Sequence, residues 1–162
     1  MTKIDRISVP KILKDYSELV AAFYKFTQLK DTKAIKAELS QICISSKIKG
    51  TILIASEGIN GTVSGPSTGI KKLINWLNND IRFQEISPKF SFAKKPPFNR
   101  LKIRLKKEIV TMGQPNIDPT NVRGEYVKPE DWHTLVTNPD TLLIDVRNNY
   151  EISIGSFKNS LN

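Results

Sequence analysis

Eight cations and no acid lie between Lys89 and Lys107: Lys89, Lys94, Lys95, Arg100, Lys102, Arg104, Lys106 and Lys107. Within this run Leu101, Ile103 and Leu105 alternate with Lys102, Arg104 and Lys106, the period-two pattern of a half-buried strand. Alternation puts Arg100, Lys102, Arg104 and Lys106 on one face, spaced about 7 Å apart, two residues per step. Cations at that interval match the spacing of phosphates along a nucleic acid strand. The expected interface comprises Lys94, Lys95, Arg100, Lys102, Arg104 and Lys106, and its chemistry is charge neutralisation. Phe90, Phe92 and Phe98 are interleaved with the cations. They are read either as base-stacking rings or, the favoured reading, as core residues.

Glu57-Gly-Ile-Asn-Gly61 is a second candidate. Its glycines suit tight turns, and Asn60 offers both a donor and an acceptor. Glu57 and Asn60 either orient a nucleotide, dock the next domain or simply form a hairpin turn. Cys43 is the only cysteine, so an internal disulfide and a multi-cysteine zinc site are excluded. Its place on the apolar face of an expected helix makes it a small buried residue. His133, the only histidine, stands beside Trp132 without a nucleophile or metal partner and is expected at the surface.

These residues need elements to hold them. Leu19–Phe26 reads as a buried strand. Asp31 and Thr32 are helix caps ahead of Ile35, Leu39, Ile42 and Cys43, which fall on one helical face. Gly50–Ala55 and a stretch from Gly61 to Ser64 read as a hairpin joined by a turn at 57–62. Pro66 and Ser67 open a second helix with Ile70, Leu73, Ile74 and Leu77 on one side. The Phe90–Phe92 strand and the Leu101–Leu105 strand follow. This order is the split β-α-β pattern of a ferredoxin-like (acylphosphatase-like) α+β sandwich, helices on one face of an antiparallel sheet. It spans residues 1–112. Residues 113–124, rich in Gly, Pro and Asn, read as a linker. In 125–162 a helix is expected at Pro129–Val136 and an apolar strand at Leu142–Val146.

Charge divides the chain at the same place. Residues 125–162 hold three cations against six acids, net −3, which leaves +12 of the overall +9 on residues 1–124. A basic front unit points to a polyanion such as RNA, and the acidic remainder to a different partner. Apolar residues make up 39% of the 162, enough for a packed core. No apolar run approaches the roughly 18 residues of a membrane span, and the first residues lack a secretory h-region. With a single cysteine, a reducing cytoplasmic location is expected.

Three segments carry a resemblance. Gly50-Thr-Ile-Leu-Ile-Ala-Ser-Glu-Gly-Ile-Asn-Gly-Thr62 resembles the N-terminal signature of the rhodanese-containing tRNA uridine hydroxylases. Arg104-Leu-Lys-Lys-Glu-Ile-Val110 resembles the basic strand of that family, and Leu142–Phe157 looks like the opening motif of a rhodanese α/β domain. Order and spacing match over nearly the whole chain from about Phe23. The resemblance implies oxidation of the wobble uridine of tRNA to 5-hydroxyuridine, with molecular oxygen as co-substrate and no cofactor within this chain. It further implies that the catalytic cysteine lies in a rhodanese loop beyond Asn162, that 125–162 is an incomplete rhodanese domain, and that this chain alone is inactive. Asp145, Arg147 and Glu151 are, by the same resemblance, structural braces; Ser156 stands where the family often has His. The other readings are a non-catalytic RNA-binding module and a sulfurtransferase accessory domain. An acylphosphatase is rejected, because Thr27–Lys30 is not a Gly-rich anion loop with an arginine.

Overall fold

Apolar residues at every second position of the first strand and at every third or fourth of the two helices meet in one core. The computed structural model describes residues 18–110, 113 and 124–162. They belong to two compact units, Met1–Arg123 and Gly124–Asn162. The expected linker at 113–124 lies almost wholly outside the described residues.

In the first unit the elements are β1 (Glu18–Phe26), α1 (Thr32–Ser45), β2 (Lys49–Ala55), β3 (Gly58–Gly65), α2 (Ser67–Asn79), β4 (Lys89–Ala93) and β5 (Leu101–Leu105). The strand order is β4-β1-β3-β2-β5. β3 runs antiparallel to both β1 and β2, and β4 antiparallel to β1. These four strands with two helices are the ferredoxin-type arrangement of an acylphosphatase-like fold. The expected all-antiparallel sheet is corrected by β5, which pairs parallel to β2, Ile52 with Ile103 and Leu53 with Arg104. The sheet is therefore mixed. A parallel neighbour requires a crossover, and residues 94–100 supply it. They leave Ala93 beside Glu18 and arrive at Leu101 beside Gly50, so they travel from one sheet edge to the other along the same end. That is four strand spacings, about 19 Å. The eight Cα–Cα steps from Ala93 to Leu101 can span about 26–29 Å, so the crossover covers this distance while bending at Lys94, Lys95, Pro97, Asn99 and Arg100.

α1 packs over β2 and β5, and α2 over β1 and β3. Ile35, Leu39 and Cys43 of α1 and Ile70, Leu73, Ile74 and Leu77 of α2 are buried against Leu19, Ala21, Phe23, Ile52, Ile54, Ile59 and Val63. Each such Leu or Ile side chain contributes about 1.5–3 kcal/mol by leaving water. Asp31 precedes α1 without capping it by its side chain. Its carboxylate pairs with Arg82, which also grips Asp80 with two bonds from Nε at 2.9 and 3.1 Å. β1 differs from the expected fully buried strand. Only its odd positions are in the core, and Tyr24 on the other parity is 47% exposed. Both helices lie on one face of the sheet, and Tyr24 belongs to the other.

The second unit contains α3 (Pro129–Thr137) and α4 (Asn149–Ile152). Trp132 of α3 meets Phe157 with ring centroids 5.2 Å apart. The strand expected at Leu142–Val146 does not form. One parallel bridge, Ile144 with Leu161, stands in its place. An apolar run becomes a strand only when neighbours complete its ladder, and here Leu142, Ile144 and Val146 are exposed.

Candidate nucleic-acid interface

Strand register defines the open face of the five-stranded sheet. One row across all five strands reads Lys89, Ala22, Thr62, Thr51, Lys102. The next row reads Tyr24, Asn60, Leu53, Arg104 across four strands. Lys49 and Ser64 lie in the row on the other side, beside Val20. The face has cations at both edges and, apart from Lys49 on β2, short or neutral side chains between them; Thr62 is exposed, whereas Ser64 is fully buried. Glu18 is the acid that strand parity adds, at the corner beside Ala93.

The sequence-predicted cations separate into two groups. Lys102 and Arg104 belong to β5 and project on the open face, since Leu101 and Ile103 pack toward the core. Arg100 and Lys106 flank β5 but stay in its ladder: the Gly50 N–H donates to the Arg100 carbonyl at 3.1 Å, and the Lys106 N–H to the Ile54 carbonyl at 2.8 Å. The four are therefore one row along a sheet edge. Lys94 and Lys95 are exposed on the crossover along the end of the sheet, away from that row. Phe90 and Phe92 pack against the core. Tyr24 escaped the sequence reading. Its signal was parity, because Leu19, Ala21 and Phe23 claim the odd positions for the core and leave Tyr24 and Phe26 outside. The two rings make an edge contact at 6.2 Å.

Ser56 and Glu57 alone form the turn between β2 and β3. Ile59 and Asn60, expected within a longer turn, are already in β3, because Ala55 pairs directly with Gly58. Gly58, at φ +149°, has no room for a side chain: a Cβ there would stand 2.1 Å from the Lys25 carbonyl oxygen. The turn binds chain on two sides. Its carbonyls accept the Thr27 N–H at 2.9 Å and the Leu29 N–H at 2.8 Å. Side chains of the turn and of β3 hold the segment after β5. The Ile109 N–H donates to Glu57 Oε1 at 2.6 Å, and Asn60 Nδ2 donates to the Ile109 carbonyl at 3.2 Å. Ile109 is 2% exposed yet outside the cluster beneath the helices. Its carbonyl is held by Asn60, so this segment lies against the face that carries Asn60.

In the second unit Asp145, Arg147 and Glu151 close a loop around α4. Arg147 Nε and Nη2 grip the Asp145 carboxylate at 2.9 and 2.7 Å, and Nη2 also donates to the Gly155 carbonyl at 2.8 Å. Ser156 Oγ donates to Asp145 at 2.7 Å. The Arg147 bonds first, and then that of Ser156, hold the Asp145 carboxyl well below the usual carboxylate range. Glu151 completes a capping box with Asn148, which lowers its own pKa. Cys43 is fully buried, and burial pushes its thiol up to about 12. A thiol kept from ionising is no nucleophile. His133 is exposed. Among the described residues no helix is long and apolar enough to cross a membrane.

The fold and face define an acylphosphatase-like domain with one basic sheet surface. The chain belongs to the family described as the UPF0176 acylphosphatase like domain, whose model matches residues 19–109. It is 51% identical over 144 residues to a protein of Acaryochloris marina (strain MBIC 11017) named tRNA uridine(34) hydroxylase, covering 89% of this chain and 46% of that one. A protein of the same name from Albidiferax ferrireducens (strain ATCC BAA-621 / DSM 15236 / T118) is 49% identical over 89% of this chain and 45% of its own length. The chain spans about half the length of these curated relatives. Among solved structures, an acylphosphatase from Coxiella burnetii aligns at TM-score 0.37 and 11% identity, covering 54% of this chain and 94% of that one.

Proposed function

We propose that the chain is the RNA-binding part of an enzyme that hydroxylates the wobble uridine of tRNA to 5-hydroxyuridine, with molecular oxygen as co-substrate. The observation that carries this reading is the 51% identity, over 89% of the chain, to a relative named tRNA uridine(34) hydroxylase. The row of Arg100, Lys102, Arg104 and Lys106 supports it, since aligned cations neutralise phosphates without reading sequence. The only thiol of the chain is buried and un-ionised; the resemblance to the rhodanese-containing tRNA uridine hydroxylases implies that the catalytic cysteine belongs to a rhodanese domain to which 125–162 contributes. The partners are then tRNA and the remainder of that domain, and the site of action is the cytoplasm.

Nucleoside mass spectrometry of tRNA from a deletion strain tests the activity. Loss of 5-hydroxyuridine is expected; loss of a thiolated nucleoside instead would establish sulfur transfer. The RNA-binding role is tested by titrating tRNA at several salt concentrations. Lys102→Ala with Arg104→Ala is expected to weaken binding to all tRNAs about equally and to flatten the log–log salt slope by roughly one to two units. Unchanged affinity and slope would make the β5 row a solvated edge only.

A further inference from the structure

The cations of β5 occupy one edge of the open face, and the rest of that face is also built in a way that fits a ligand. Its longest row starts at Lys89 on β4 and ends at Lys102 on β5, four strand spacings or about 19 Å apart. Between them stand Ala22, Thr62 and Thr51, none charged and none bulky. Beside this floor Tyr24 presents a ring that is 47% exposed, steadied by its edge contact with Phe26. Asn60, its neighbour in register, is committed to Ile109, so the ring has a fixed polar border on one side.

Each element has a physical reading. A large aromatic side chain on a sheet face stays outside the core at a cost in exposed apolar area, and a nucleobase is a flat partner of matching size. Antiparallel sheets carrying such rings take unpaired bases, whose faces are free. A duplex offers this surface only phosphates. We propose that the open sheet face seats an unpaired stretch of RNA, with one base stacked on Tyr24 and the flanking phosphates held by Lys89 at one edge and by Lys102 and Arg104 at the other. Charge complementarity selects the occupant: four cations (Lys49, Lys89, Lys102 and Arg104) and one acid (Glu18) lie on the strands of this face. The inference rests on the RNA-binding reading above and adds to it the form of the RNA and the residue that recognises it.

The test measures binding of the whole chain to an RNA single strand of about ten nucleotides, to the same strand with abasic positions, and to a duplex of the same length. The intact single strand is expected to bind tightest. Tyr24→Leu is expected to weaken it about 5- to 150-fold without changing the salt slope, and Tyr24→Phe to keep nearly full affinity. The abasic strand is expected to lose about as much with the unaltered protein, an arm that does not depend on any variant folding. If Tyr24→Leu binds like the parent, or abasic and intact strands bind equally, the stacking seat is wrong while the phosphate row stands. If the parent chain binds none of the three, the RNA-binding reading falls with it.

Discussion

The backbone N–H of Ile109 donates to the Glu57 carboxylate at 2.6 Å across more than fifty residues of sequence. Asn60 takes the carbonyl of the same residue at 3.2 Å. One peptide segment is thus held at both of its polar groups by side chains from a single hairpin. A charge-assisted bond of this kind is worth about 1.5–3 kcal/mol and a neutral one about 1 kcal/mol. Glu57→Ala is expected to cost about 1–3 kcal/mol in urea denaturation and to speed amide exchange at Ile109. Glu57→Gln, which keeps an acceptor oxygen, is expected to cost less. Equal loss in the two variants would show that the carboxylate oxygen is not what holds the segment.

Cys43 makes stability depend on alkaline pH. Its thiol is raised from 9.0 to about 12 in the folded chain by burial. Above pH 9 the unfolded chain loses this proton while the folded chain keeps it, so the folded state binds more protons and stability falls with rising pH. The contribution is complete below pH 9 and declines toward pH 12. Cys43→Ala is expected to flatten that decline in urea midpoints measured from pH 8 to 10.5. A thiol reagent is expected to label Cys43 only after denaturation, and prompt labelling of the folded chain would contradict its burial.

Arg147 braces the loop of the second unit in a way lysine cannot reproduce. Its guanidinium spans both oxygens of Asp145 and the Gly155 carbonyl together. The Asp145 carboxyl is depressed, so its bonds are present above the ordinary aspartate pKa and are lost as the pH falls through the lower folded value. Arg147→Lys is expected to raise amide exchange across Arg147–Ser156 at neutral pH, and strong acid to lower the protection factors of the same amides, taken against their intrinsic rates, in the parent chain. Ser156→Ala should have the smaller effect, removing one bond and leaving the ion pair. Exchange unaltered in Arg147→Lys would show that the loop is held by other contacts.

The second unit is the less protected of the two. Leu142, Ile144, Val146 and Ile154 are 68, 57, 91 and 86% exposed, whereas the cluster of the first unit is closed to solvent. Exposed apolar side chains on a segment held by a single bridge favour contact with another chain. Hydrogen exchange is expected to be faster in 124–162 than in β1–β3, and sedimentation to show association that rises with concentration. Replacing Val146 and Ile154 by Ser should reduce the association without lowering the stability of the first unit. Slow exchange in both units of a concentration-independent monomer would contradict this.

Local pattern was enough for the elements of the first unit. The helical spacing of Ile35, Leu39 and Cys43, or of Ile70, Leu73, Ile74 and Leu77, and the alternation along 101–105 are short-range consequences of 3.6- and 2-residue periods, and the structure keeps them. The same alternation put Arg100, Lys102, Arg104 and Lys106 on one row before any fold was known. Partners distant in the chain were another matter. Nothing local distinguishes a β5 that pairs parallel to β2 from one paired antiparallel, because both expose the same parity. Tyr24 sits in an apolar run whose composition suggested full burial, and only helices covering one face of the sheet left its ring outside. Leu142–Val146 has the composition of a buried strand and lacks the neighbours that would make it one. Period and charge belong to the residues themselves and were therefore determined by sequence alone. Which edge meets which, and which face stays open, depends on contacts that close only when the whole sheet is assembled, and that was decided by the tertiary structure.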